Sequence, residues 1–455
     1  MFAFLFVFSL FLYLIAPSDM NIAFVFANTI IFIIDAAIVL KNDSRRINKM
    51  NFNLLFLLSF FLCTYFLPLL VIPAEGLYSV KLVFDYLTMN KCVALSTIGI
   101  TSYSLVYIVT FKRKWTKHGI TDVSSKQVFS MAKHIKPLFN IMFLLVLIIL
   151  IRFLRSSHEV EIEVDGPPFV FVFFIVAVSL TLILSAYKFD FKKESKFLYL
   201  RKNISLLLKL LLICFLYVLI GDRLVIIQLA SILIVFYSIY VTELKTKSIL
   251  LLGMLGFVFM VFISLTRTSD ASLKSGNISA SMSAASSTME NYYQGNLMAT
   301  FSDLSERFLE LCVGYDYVQK HGIQYPLKII PILFSPVPLV PNMMTQIIYG
   351  VPMAETASGY AVANDTGTNA GSHCVLSVYM HWGLLGVIVG FAVYGFVIAI
   401  VSAGYNRSVY YSVSYLILVS MAIFTPRGNL FDIYRPIVWG MLLIYFLSHL
   451  KSKKV

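Results

Sequence analysis

TNAGSHCVLSVYMHWGLLG, Thr368 to Gly386, closes the one long interruption in a chain that is otherwise a series of apolar runs. The interruption reaches back to Arg267, and beyond Gly386 the sequence continues into an apolar run ending near 403. The chain is 59% hydrophobic and 13% charged, with a mean hydropathy of +0.84. A water-soluble domain cannot hide that much apolar surface, so the composition specifies an all-α polytopic membrane protein. The formal charge of +13 does not point to nucleic acid, because what matters is where the charges lie relative to the spans.

Apolar runs lie near 1–17, 21–40, 51–72, 91–111, 137–156, 169–187, 205–220, 224–243, 249–266, 374–403, 408–424 and 436–450. A span needs about 20 residues, so this set predicts about twelve transmembrane helices. Residues 1–266 hold spans one to nine, 267–373 form a large outer loop, and 374–455 hold spans ten to twelve. Met1 to Pro17 has no basic leader or cleavage site and reads as a span that stays.

Loop charges set the orientation. Segments 41–50, 112–136 and 188–204 are rich in Lys and Arg, and Lys245, Lys247, Arg407 and the tail Lys451, Lys453 and Lys454 fall on the same side. The alternate loops 73–90 and 157–168 are poor in both. All loops agree with cytoplasmic termini and an outer long segment.

That segment starts with a polar, Ser/Ala-rich stretch, Thr268 to Ser287, which reads as flexible. Phe301, Leu304, Phe308, Leu311, Tyr315 and Val318 then step by three and four, one face of a helix, with Asp303 and Glu306 placed as a capping box. The helix is expected on the membrane surface or against the bundle. YPLKIIPILFSPVPLVP, Tyr325 to Pro341, is too rich in proline for a normal span and reads as a broken segment over the bundle. Asn342 to Ser372 reads as a lid or binding loop. Cys312 and Cys374 would share the outer side, where a disulfide between them is open; Cys63, Cys92 and Cys214 read as small core residues.

Basic groups at the outer ends of spans are the candidates for chemistry: Arg152, Arg155, Arg223, Arg267, Arg307, His373, Arg427 and Arg435. Arginine suits bidentate recognition of phosphate. Each also has a plain reading. Arg152 and Arg155 can snorkel to headgroups. Arg307 can pair with Asp303 or Glu310. Arg223 can pair with Asp222 in the GDRL turn, and Arg427 and Arg435 can serve a loop network with Asp432. His373 opens a helix and suits a general base or a hydroxyl-orienting group, with a capping role as its alternative. His381, about two turns on, can face the same side, or serve packing beside Trp382. No zinc spacing, acidic metal signature or phosphate-cradling glycine loop stands out, so no cofactor or metal is expected. Asp35, within an apolar run, could relay protons or snorkel to the cytoplasmic end.

GDRL (Gly221 to Leu224), the Pro-rich run before Gly350 and SHCVLSVYMHWGLLG (Ser372 to Gly386) together resemble the bacterial oligosaccharide repeat-unit polymerases of the O-antigen (Wzy) type, related to the O-antigen ligases. The chain departs in having Cys374 after the histidine and in a Pro-rich run that lacks the basic residue often found beside the prolines in such enzymes. The resemblance implies a GT-C-like membrane glycosyltransferase of the bacterial inner membrane. Its donor would be a glycan on undecaprenyl diphosphate and its acceptor a sugar hydroxyl of another repeat unit. It also implies membrane lipid and a chain-length regulator as partners. On this reading Arg223 and Arg307 contact the diphosphate, His373 orients or deprotonates the acceptor, and Arg427, Arg435, Arg267, Arg155 and His381 line the substrate path. A lipid-linked oligosaccharide flippase, predicting two similar halves and short outer loops, and an O-antigen ligase remain the rivals.

Overall fold

The computed structural model describes residues 1–19, 21–71, 86–115, 125–155, 168–191, 193–220, 223–267, 302–360, 363 and 372–449, and these are helical with irregular connections. The helices are α1 (Phe2–Leu14), α2 (Ile22–Arg46), α3 (Phe52–Thr64), α4 (Tyr86–Lys114), α5 (Ser125–Arg155), α6 (Pro168–Tyr187), α7 (Lys196–Lys202), α8 (Ile204–Ile220), α9 (Leu224–Phe236), α10 (Thr246–Arg267), α11 (Ser302–His321), α12 (Ile329–Leu333), α13 (Val340–Tyr349), α14 (Cys374–Gly404), α15 (Val409–Met421) and α16 (Tyr434–His449). Every predicted apolar run falls on a helix. Among the described residues six helices are long and apolar enough to cross a membrane, or up to seven if the bent pair α7–α8, with its 65° break, forms one span. The Ser/Ala-rich Thr268–Ser287 lies outside the described residues, as do the side chains of Arg155, Arg267, Asp303 and Glu306.

Local chemistry sets several boundaries. Asn21 and Asn51 precede α2 and α3, and each side-chain oxygen accepts a backbone N–H three residues on, at 3.0 Å. Helix α5 begins at Ser125, well before the predicted 137. Its first turns are amphipathic: Met131 and Ile135 are buried while Lys133 and Lys136 face outward, so the helix runs on through Pro137.

The lysine- and arginine-rich loops gather at one end of the bundle. There Asn48 donates to the Ser238 carbonyl at 2.7 Å, Lys196 to Thr242 Oγ1 at 2.8 Å, and the Arg407 guanidinium to the Lys114 carbonyl. Arg46 lies over the Phe111 ring. Just inside this end Asp43 is buried and accepts from Asn53 Nδ2 at 2.7 Å and Tyr107 Oη at 2.9 Å. Such bonds compensate a carboxylate held away from water. Asp35 is also fully buried, facing Ser104 on α4, so it does not snorkel out.

At the centre α14 lies along α4. Small residues make the approach possible: a Cβ on Gly395 would stand 2.5 Å from the Tyr103 carbonyl oxygen, and one on Gly99 3.2 Å from Phe391 and Val387. Between apolar helices in lipid, close packing replaces the hydrophobic drive available in water.

The predicted span 374–403 is not one rod. Gly383 adopts φ 61, ψ −151, a conformation essentially reserved for glycine, and the helix reverses there. A Cβ on Gly386 would lie 2.6 Å from the Val378 carbonyl oxygen, and one on Gly390 3.1 Å from Val378 Cγ1. At about 1.5 Å rise per residue, a straight helix would hold these pairs more than 10 Å apart. Residues 374–382 therefore form a short arm folded back on the longer arm 384–404.

Helix α11 follows the predicted periodicity, with Phe308, Leu311, Tyr315 and Val318 buried, and it packs into the bundle against α3, α4 and α14. It runs beside the short arm. A Cβ on Gly314 would stand 2.3 Å from Leu376 Cδ2, the Tyr315 and Tyr379 rings stack at 5.1 Å, and Gln319 donates to Tyr379 Oη at 2.8 Å.

Candidate functional site

The reversal at Gly383 places the short arm under the Pro-rich segment. That segment is broken, as expected, into α12 and α13 with turns between them. Tyr325 and Leu339 hold positive φ values of 51 and 67 and turn the chain at either side of α12. The strap is pinned through its backbone. Gln324 N–H donates to the Met380 carbonyl at 2.8 Å, Trp382 Nε1 to the Pro326 carbonyl at 2.7 Å, and Trp439 Nε1 to the Pro336 carbonyl at 2.6 Å. Proline donates no N–H, so the carbonyls around the prolines need such partners. Asn342 to Tyr349, predicted as the start of a lid loop, is instead the helix α13.

Beneath the strap is a cleft of about 610 Å³. It opens where α6, α9 and α16 begin and α8 and α15 end, opposite the basic loops. Its polar wall is Gln228, Lys328, Ser377, His381, Asn429, Asp432 and Arg435.

Lys328 is 6% exposed and donates to the Thr356 carbonyl. Burial pushes its ammonium down to about 8, opposed by the charge of Asp432. Asp432 opens onto the cleft but is ringed by protein. That burial raises its carboxyl above the usual range, opposed by bonds from Asn429 and by the charges of Arg435 and Lys328. Arg435 lies over the Trp439 ring at 6.0 Å, and that ring stacks on Phe173 at 4.8 Å. An aromatic face orients a guanidinium without using its N–H donors.

His381 is 1% exposed at the head of the short arm, and its Nδ1 lies 2.8 Å from the Gln324 carbonyl oxygen. One turn below, Ser377 Oγ donates to the Cys374 carbonyl at 2.7 Å and accepts from Leu430 N–H at 3.2 Å.

The other sequence candidates sort by place. His373 is not at the mouth and is not in the cleft wall; it is fully buried at the foot of the arm, because the reversal turns that end inward. Its Nδ1 accepts from Val375 N–H at 3.2 Å, which caps the arm, and its Nε2 faces Thr64 Oγ1 at 3.3 Å. Arg307 and Arg427 lie near enough for their charges to act on Cys63, and Arg307 also acts on His373 at the foot of the arm; Arg307 pairs with Glu310, as its plain reading had it. Arg223 precedes Leu224 and Val225 of the cleft wall. Arg152 is exposed on α5. All five cysteines are free, so Cys312 and Cys374 are not joined: Cys312 faces Cys92, and Cys374 lies by Cys63. Among the described residues no group of three or more His, Cys, Asp or Glu could hold a metal ion.

Lys328 was not singled out from the sequence, and Asp432 was named only as the loop partner of Arg427 and Arg435. A lone lysine inside an apolar Pro-rich run was the available signal, since a charge kept among such neighbours is costly to bury.

The family described as O-antigen polysaccharide polymerase Wzy matches residues 1–455. The chain belongs to that family. No curated protein and no solved structure matches it. As a Wzy-family member it is a membrane protein and an enzyme of polysaccharide polymerisation. Among the described residues of this Wzy chain, the cleft under the strap and the foot of the short arm are two places where charged groups gather, away from the basic end that holds Asp43.

Proposed function

We propose that this chain polymerises lipid-diphosphate-linked oligosaccharide repeat units on the outer face of the bacterial cytoplasmic membrane, and that transfer takes place in the cleft. The observation that carries this reading is a buried lysine and a ring-oriented arginine in one cleft, at the end of the bundle away from the cation-rich loops. With those loops cytoplasmic, the cleft stands outside, at the depth of lipid headgroups. A departing diphosphate develops charge there, and preorganised cations stabilise it most where water is excluded. Lys328 and Arg435 are the proposed diphosphate contacts, with Arg223 at the rim. Arg307, Arg427 and His373 support this site from the foot of the arm. Carrier lipid and, in such pathways, a chain-length regulator are the partners this reading implies.

The test is a deletion in the host, complemented with wild type, Lys328→Ala or Arg435→Ala at matched protein levels. The expected result is single repeat units on the normal surface anchor, with the ladder lost in the deletion and in both variants. Repeat units accumulating on the cytoplasmic side would make the protein a flippase, and full-length polymer left on the carrier would make it a ligase.

A further inference from the structure

His381 presents one buried acceptor that the fold itself does not use. Its Nδ1 faces the Gln324 carbonyl, which only accepts, so Nδ1 carries the ring proton. In the neutral ring Nε2 is then a bare lone pair. It is buried and has no partner among the described residues, in a side chain that lines the cleft. A buried acceptor without a donor is unfavourable, because it has given up its hydrogen bond to water and gained none in return. Docking of the strap does not explain it. Docking needs only Nδ1, and Trp382 and the Met380 carbonyl hold the same stretch of strap. His373 has no comparable atom, because both its nitrogens already face partners.

We propose that His381 Nε2 receives the proton of the acceptor sugar hydroxyl, which makes His381 the catalytic base of the cleft. This rests on the cleft being the site of transfer. The acceptor O–H bond breaks and its proton moves to Nε2. The oxygen forms a bond to the anomeric carbon, and the bond from that carbon to the diphosphate oxygen breaks. The electron pair leaves on the diphosphate beside Lys328 and Arg435. The proton then passes from the imidazolium to the departing diphosphate. The Gln324 carbonyl holds the ring in the tautomer that this step requires.

The experiment uses the full chain in liposomes, with undecaprenyl-diphosphate-linked repeat unit extracted from the deletion host. Donor retention and polymer formation are read separately for wild type, His381→Gln, Trp382→Phe, Lys328→Ala and Arg435→Ala. Trp382→Phe removes a neighbouring strap bond and leaves Nε2 in place, so it marks the loss caused by looser docking alone. The expected result is that His381→Gln retains donor as wild type does and forms polymer at least about 100-fold more slowly, well below Trp382→Phe. A loss no larger than that of Trp382→Phe overturns the assignment and leaves the cleft reading standing if the Lys328 and Arg435 variants lose donor. If those two variants retain donor and polymerise normally, the cleft reading fails and the assignment falls with it.

Discussion

At Lys328 the ammonium sits in a place where its charge is disfavoured, and that makes its protonation visible near neutral pH. It is cationic below about 8 and neutral above, because burial has moved it down from 10.5. If its charge serves the diphosphate, kcat/KM falls as pH rises through about 8, since that parameter reports the free enzyme. The limb in kcat moves to higher pH, because a bound diphosphate favours the charged form. Lys328→Arg, whose guanidinium stays charged, is expected to remove the limb from the pH profile. A profile unchanged by that substitution would separate the limb from Lys328. At His373 the expectation concerns stability first. His373→Ala loses the cap on the short arm and lowers stability by ~1 kcal/mol, read as a fall in thermal midpoint. Asparagine caps well, so His373→Asn restores the midpoint. Polymerisation measured in the restored variant then isolates any chemical role of the ring. His373 and His381 also show how far local sequence patterns reach. Their eight-residue spacing was legible, but which of them faces a cavity was not, since spacing says nothing about a chain reversal two residues after the second.

At the scale of elements, the short arm, α11 and the strap are one assembly held by Gly383. Any side chain there must adopt a glycine-only conformation, at a cost of order 1–3 kcal/mol. Space is not the obstacle, because a Cβ would meet only Ile323 Cδ1 at 3.6 Å. Gly383→Ala is therefore expected to leave the bundle assembled but the arm misplaced. In hydrogen exchange, protection should fall in 374–382 and 324–330 while the longer arm stays protected, and polymer formation should fall with it. Uniform loss of protection would show instead that Gly383 supports the whole bundle. The glycine was visible in HWGLLG, and glycine is frequent in spanning helices without breaking them. Its positive φ follows from Val378 packing on Gly386 and Gly390, a contact between residues that a helical pattern places on separate turns. The amphipathic face of α11 was legible for the opposite reason: periodicity reports which face is covered. What covers it is a matter of tertiary packing.

For the whole molecule, gathering the basic loops at one end and the cleft at the other predicts labelling from opposite sides. Lys193→Cys, in an exposed loop of the basic end, should react with a membrane-impermeant thiol reagent only after the membrane is opened. Gln346→Cys, on the exposed face of α13, should react in intact spheroplasts. The native cysteines are mostly buried, so background labelling should be low. Labelling of both positions from the same side would overturn the orientation. Composition and run length by themselves determined that this chain is a helical membrane protein, because apolar surface on this scale has no other solvent and a backbone in lipid must bond within helices. The placement of Lys and Arg determined which loops belong together, and the short motifs around GDRL and SHCVLSVYMHWGLLG were enough to suggest the family. The tertiary structure alone decided that 374–404 is two arms, that Lys328, His381, Asp432 and Arg435 share a cleft, and that His373 caps a helix inside the bundle. These are contacts between residues far apart in the chain, set by close packing against a glycine reversal, and no local pattern encodes them.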